Sequence, residues 1–243
     1  MTKSFNHFYF VCFLPIQVKE LSSPMLISDL PKVISILKKE YARFQTPAVT
    51  EVAEELRAAP FKVLISCIIS LRTKDSVTRA ASKRLFALAS TPEAMARLRP
   101  AEVEKAIYPA GFYRTKAKTL IDISRELVES RSSRVPDTME GLLELKGVGR
   151  KTANLVLTLG FGKPGICVDI HVHRITNRWG LVTTKTPEQT ECALREILPK
   201  RYWITINDLL VAYGQNICGP VSPFCGSCAI AAWCERAGVK RSR

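Results

Sequence analysis

The sequence predicts an all-α fold, and three observations carry that prediction. From residue 31 to about 212 apolar residues recur at helical spacing in a stretch dominated by Ala, Leu, Glu, Lys and Arg, with turns marked by Pro and Gly and no clear strand pattern. Thr91-Pro92 and Thr186-Pro187 each place an N-cap residue before a proline at the first helical position, and Gln189 completes a capping box in the second. The run Phe61 to Leu71, with Val63, Leu64, Ile65, Cys67, Ile68 and Ile69, is apolar all round and reads as a central buried helix.

Taken in order, helical patterning begins after Met25, where Pro31 is followed by Val33, Ile34, Leu37, Tyr41 and Phe44. Residues 1–24 read as an extension outside the fold, as an upstream start codon would add. Lys3 before an aromatic-rich run ending near Ser22-Ser23 gives this segment a weak signal-peptide character. Its apolar part, Phe8 to Val18, is too short to span a membrane. Several helices of 8 to 15 residues follow, with no repeat or low-complexity linker to divide them. Asp137 with Glu140 three residues later is a capping-box pattern, continued by Leu142, Leu143 and Leu145 at helical spacing. Then comes Leu-Lys-Gly-Val-Gly-Arg-Lys-Thr-Ala-Asn, residues 145–154, after which Leu155, Val156 and Leu159 repeat the helical period and Gly160 supplies a stop. The reading is a helix, a tight hairpin and a helix.

That hairpin is where chemistry shows. Gly147 and Gly149 let backbone N–H groups approach an anion, and the helix start adds a positive dipole end, so a phosphate fits there. The plainer alternative is an ordinary αα-hairpin turn. Lys151, beside the helix start and the cations Lys146 and Arg150, is disposed to give up its proton, and a neutral lysine is a nucleophile able to form a Schiff base.

The composition fits that direction. Of 243 residues 47% are apolar, enough for one large or two small packed domains, and 36 Lys and Arg against 22 Asp and Glu give a charge of +14. Nucleic acid is the polyanion favoured. An anionic membrane is the competitor, but the sequence has no basic amphipathic helix with an aromatic face and no apolar run near 18 residues.

Four of the eight cysteines crowd into C-x6-C-x2-C-x5-C, as Cys218, Cys225, Cys228 and Cys234. Gly219, Pro220, Pro223 and Gly226 supply the bends for four thiolates to converge. Donor chemistry alone leaves zinc and [4Fe–4S] both open and disfavours disulfides. Cys12, Cys67, Cys167 and Cys192 are scattered and read as small hydrophobes.

Hairpin lysine and cysteine quartet together resemble endonuclease III, a DNA glycosylase and lyase family of the helix-hairpin-helix superfamily, over about residues 30 to 235. The resemblance rests on the hairpin motif, on Val168-Asp169-Ile170-His171-Val172 and on the 6-2-5 cysteine spacing. It implies two lobes, a six-helix barrel over 53–163 and a cluster lobe from 25–52 plus 164–243, with double-stranded damaged DNA across the cleft between them. It implies Lys151 as the nucleophile, Asp169 as the catalytic carboxylate and a [4Fe–4S] cluster on the four cysteines. The hairpin residues Gly147, Val148, Gly149 and Arg150 are then expected on DNA, together with His171, Arg72 and Lys74. The protein is expected to act as a monomer in a reducing, DNA-containing compartment: inside the cell, in cytoplasm or nucleoid if the source is bacterial or archaeal.

Several of these residues carry a plainer alternative. Asp169 also reads as a helix N-cap. His171 and His173, two apart, diverge on a helix and do not make a metal pair. Arg72 stands in Ser70-Leu71-Arg72-Thr73-Lys74-Asp75 where the family commonly has the glutamine that fills the gap left by the extruded nucleotide, so opposite-base preference is expected to change; the alternative is a phosphate contact by Arg72 and Lys74. Phe112 matches the family's intercalating wedge, with a core phenylalanine as its rival, and the neighbouring Arg114, Lys116 and Lys118 favour the DNA face. The loop from Gly219 to Phe224 lacks the basic residues often seen there, for which Lys240, Arg241 and Arg243 could compensate. Other functions considered are a monofunctional mismatch glycosylase, including an adenine glycosylase that would want a glutamate where Cys67 stands, and a non-catalytic iron–sulfur redox sensor on DNA.

Overall fold

The computed structural model describes residues 25–55 and 59–243, so the extension over residues 1–24, Cys12 included, lies outside the described residues. Twelve α-helices occur among the described residues, which contain no strand: α1 Leu30–Tyr41, α2 Ala48–Glu55, α3 Pro60–Ser70, α4 Asp75–Leu88, α5 Pro92–Ala96, α6 Pro100–Ile107, α7 Tyr113–Ser130, α8 Met139–Leu143, α9 Arg150–Leu155, α10 Ile170–Arg178, α11 Pro187–Ile197 and α12 Thr205–Asn216. Thr91 and Thr186 cap α5 and α11 by accepting from the N–H groups of Ala94 and Gln189, and each is followed by proline. No helix among the described residues is long and apolar enough to cross a membrane.

Apolar side chains gather into two cores. In the first, α3 is the axis: it packs against α2, α4, α7, α9 and the π-helical segment Val156–Gly160 that continues α9, and its residues from Phe61 to Ile69, Lys62 apart, are buried. The second gathers α1, α10, α11 and α12 around Trp179 and Tyr213. The chain passes from one core to the other in an extended stretch where side chains alternate in direction. Ile166 and Val168 enter the second core and Cys167 the first. Polar contacts also tie the two together: Thr50 Oγ1 donates to Asp208 at 2.7 Å, and Asn207 Nδ2 to the Cys167 carbonyl at 3.1 Å. Cys67 and Cys167 are free and buried as small hydrophobes should be, whereas Cys192 is only partly buried and does not fit that reading.

Candidate active site

α8 and α9 flank the glycine turn. The helix start lies one residue later than the sequence pattern suggests: Thr138, not Asp137, caps α8 by accepting from Gly141 N, while the Asp137 carboxylate takes Lys163 Nζ at 2.6 Å. A threonine one residue nearer the helix wins the cap because its hydroxyl reaches the third N–H. Gly147 has φ +87°, which favours glycine, and Gly149 is the N-cap of α9. Val148 does not fit the expectation of a DNA-facing side chain. It turns into the first core and its N–H donates to the Leu145 carbonyl at 3.0 Å, so both side chain and amide anchor the turn. Apolar area at this position is worth more buried than offered to a phosphate chain.

From this turn α9 presents Lys151, and from the second core α10 presents Asp169. The Lys151 side chain is 44% exposed, that of Asp169 8%, and Nζ lies 3.8 Å from Oδ2. Asp169 caps α10 through Oδ1, which accepts from the N–H groups of His171 at 2.8 Å and Val172 at 2.9 Å. The two carboxylate oxygens are thus divided: one fixes the side chain, the other faces the amine. Capping leaves the second oxygen free for chemistry. Cys67 and Cys167 lie within electrostatic reach of Lys151, and burial pushes the Cys67 thiol up to about 12 and raises that of Cys167 as well, which leaves both unreactive.

His171 stands half-buried at the same helix start. Burial, opposed by Asp169, pushes its imidazole down towards the neutral form. Arg174 Nη2, which can only donate, reaches His171 Nδ1 at 3.0 Å, so the proton of the neutral ring sits on Nε2. An N–H there suits a phosphate oxygen. His173 instead packs at 2.6 Å from Thr190 Oγ1, so the two rings do diverge.

Arg150 is a second departure from expectation. Its guanidinium is taken by Glu191 on α11, with Nε at 3.2 Å and Nη2 at 2.9 Å, and Glu191 also accepts from Arg195. The carboxylate is 3% exposed and needs both cations, so the Nε–Nη2 edge of Arg150 is not free for a phosphate, although the side chain stays 44% exposed. This pair joins the hairpin helix to the other core. Glu191→Ala is expected to lower unfolding free energy by about 1–3 kcal/mol, less than a fully buried pair because Arg150 and Arg195 regain water. Urea denaturation measures it.

A second exposed region adjoins α3 and α7. Phe112 is 64% exposed, which overturns the core-phenylalanine rival, and Arg72 lies beside it with its guanidinium carbon 5.6 Å from the ring centroid. Lys74 is exposed at the N-cap of α4. Lys116, expected among cations on the DNA face, is buried at 6% exposure; its Nζ is turned inward to the end of α3, and burial draws its pKa down to about 8.

Cys218, Cys225, Cys228 and Cys234 are free and line one pocket below α10 and α12, with about 330 Å³ of empty space that is partly open to solvent. Donors are aimed at three of the sulfurs: Arg178 Nη1 at 3.2 Å from Cys218, Tyr213 Oη at 3.1 Å from Cys228, and Arg236 N at 3.4 Å from Cys234. Burial raises the thiols of Cys228 and Cys234, the latter to about 11, a tendency that a bound metal reverses. Arg243 closes the loop. Its N–H donates to the Pro223 carbonyl, its carbonyl accepts from Gly226 N, and its guanidinium lies 4.0 Å from the centre of Phe224. Of the basic residues at the end of the chain, Arg243 therefore reaches the loop that lacks its own.

The structural roles of Glu191, Lys116 and Thr73 escaped the sequence reading. Glu191 left one local signal, Arg195 four residues on; the other two left none.

Hairpin lysine, facing carboxylate and exposed phenylalanine, on two helical cores, place the chain in the helix-hairpin-helix class. Residues 65–200 match the model of the HhH-GPD superfamily base excision DNA repair proteins. Endonuclease III of Thermotoga maritima is 50% identical over 176 residues, covering 72% of this chain and 83% of that protein; endonuclease III of Escherichia coli is 36% identical over 178 residues, covering 73% and 84%. A solved structure of a trapped endonuclease III–DNA covalent intermediate superposes with a TM-score of 0.76 at 29% identity, covering 87% of this chain and 97% of that one. The chain belongs to the endonuclease III family.

Proposed function

We propose that this protein is a bifunctional base-excision enzyme: it flips an oxidised pyrimidine out of duplex DNA, removes it with Lys151 as nucleophile and Asp169 as its proton partner, and cleaves the abasic site. The observation that carries this reading is the approach of Lys151 Nζ to the free oxygen of a carboxylate anchored in the opposite core. Asp169 takes the proton that the ammonium gives up, which frees the Nζ lone pair; the protons shed by Nζ pass to the departing base and to the ring oxygen as the sugar opens. Lys151 Nζ then bonds to C1′ as the C1′–N bond to the base breaks, and the base leaves with the bonding pair. Opening of the sugar gives a Schiff base between Nζ and C1′. Loss of a proton from C2′ moves electrons toward the iminium and expels the 3′ phosphate by β-elimination. Water releases the lysine.

The turn N–H groups around Gly147 and Gly149 and the Nε2–H of His171 hold backbone phosphates, and Phe112 and Arg72 enter the base stack. Cys67, unable to serve as a carboxylate base, weighs against an adenine glycosylase.

The four cysteines fit a [4Fe–4S] cluster. All four thiols line one pocket, and the donors aimed at three of the sulfurs suit the charged thiolates that would hold the cluster. When bound it supplies structural cross-linking of this lobe and no electron to the reaction. Protein purified without oxygen is expected to hold iron and inorganic sulfide in equal amounts and no zinc, read by metal analysis and sulfide assay.

The test of the function is borohydride trapping on a thymine glycol duplex. A covalent adduct together with a nicked strand supports the bifunctional assignment; base release without an adduct means a monofunctional glycosylase. Binding with neither product leaves the redox-sensor alternative.

A further inference from the structure

The loop after α3 and the loop before α7 each hold a non-glycine residue in the left-handed region, Arg72 at φ 50° and Phe112 at φ 57°. L side chains rarely adopt that conformation, and two such residues side by side need neighbours that impose it. The neighbour here is Lys116, one turn into α7. Its Nζ donates to the carbonyl of Ile69 at 2.6 Å, to the carbonyl of Leu71 at 2.5 Å and to Thr73 Oγ1 at 2.9 Å. Those three acceptors match the three N–H bonds of an ammonium, and they span the end of α3 and the residues on both sides of Arg72.

Thr73 carries the connection onward. Its Oγ1 accepts from Gly111 N at 3.0 Å, next to Phe112 in the chain. Gly111 in turn packs so closely on Arg72 that a Cβ there would sit 2.4 Å from the Arg72 carbonyl oxygen. The two loops therefore share one buried centre, made of the Lys116 ammonium, the Thr73 hydroxyl and the Gly111–Arg72 backbone contact. No carboxylate forms an ion pair with Lys116 among the described residues. A buried cation without a counter-charge persists because backbone carbonyls at a helix C-terminus satisfy it.

We propose that Lys116 is a positioning residue that locks the Arg72 and Phe112 loops into one rigid two-pronged wedge, so that reading of the opposite strand and unstacking of the lesion occur as a single event. This rests on the duplex-flipping reading above. Lys116 touches neither DNA nor the reacting atoms; it acts through the backbone of Arg72 and Gly111. Without it the Ile69 and Leu71 carbonyls lose their donor, Arg72 relaxes to negative φ, and its side chain leaves Phe112.

The test compares Lys116→Met, of similar length but without donors, with the wild type on two substrates. One is a duplex with thymine glycol opposite each of the four bases. The other is a single-stranded oligonucleotide with one abasic site, which needs no extrusion. Lys116→Met is expected to lower kcat/KM on the duplex by roughly 10- to 100-fold, as misplacement of about 1 Å does, and to flatten the opposite-base preference. Cleavage of the single-stranded abasic site should stay within about twofold. The rise in fluorescence of 2-aminopurine placed beside the lesion, which wild-type binding produces, should be lost.

Equal losses on both substrates, or an unchanged duplex rate, would overturn the proposal. Thr73→Val serves if Lys116→Met does not fold: it removes the hydroxyl shared by the two loops and should give the same duplex-selective loss, and its absence would overturn the proposal equally. If the wild type itself yields no trapped adduct, the parent assignment of function has failed instead.

Discussion

Lys151→Ala is expected to abolish the borohydride-trapped adduct and to lower both base release and strand cleavage by at least about 10³-fold, the scale on which loss of a covalent nucleophile is felt. Binding to a thymine glycol duplex should survive. The proposed DNA contacts of Phe112, the turn N–H groups and His171 do not involve the lysine side chain, and Lys151 is 44% exposed and contributes nothing to either core. A denaturing gel with and without borohydride reads the first part, and fluorescence anisotropy the second. Cleavage that persists in the variant would sink the Schiff-base mechanism.

Asp169→Asn is the second large effect, and it separates two duties of one side chain. Asparagine caps a helix about as well as aspartate, so the Oδ1 contacts to His171 and Val172 survive and unfolding free energy should change by less than about 0.5 kcal/mol. The oxygen facing Lys151 becomes a neutral amide group that cannot take a proton, and single-turnover base excision should fall about 10²- to 10⁴-fold. Asp169→Ala loses the cap as well and should cost a further 0.5–2 kcal/mol, roughly, in denaturation. If the asparagine variant keeps the wild-type rate, Asp169 is a cap and nothing more.

The parts of this site that sequence disclosed are those written in local spacing. Gly147, Gly149 and Lys151 stand within five consecutive residues, and the four cysteines within 17, so their meeting needs little knowledge of the fold. Asp169 was legible as a cap because capping is a near-neighbour relation; its approach to Lys151 came only through the family resemblance. What stayed hidden depends on tertiary approach. Nothing near Lys116 in the chain tells that its ammonium meets a helix end 45 and 47 residues away. Its setting, Arg114-Thr115-Lys116-Ala117-Lys118, looks like a solvated basic face, and one member of that face is buried. Arg150 misled for a similar reason: beside a phosphate-binding turn a cation reads as a phosphate ligand until Glu191, 41 residues later, appears against it. The Thr138 cap shows the limit of local patterns too, since two adjacent cap formers compete and a lysine far along the chain claims one of them.

Lys151 and Asp169 come from different cores, and the hairpin helix is fastened to the opposite side by Arg150 and Glu191. On the proposed mechanism, neither half of the molecule is an enzyme by itself. The proposed chemistry depends on how the halves seat, which makes side chains of the seam that do not touch Lys151 or Asp169, such as Thr50, Asp208 and Asn207, guardians of turnover. A lineage can therefore lose this enzyme by loosening the seam while every reacting group remains in the gene, and heat should silence catalysis before it melts the helices.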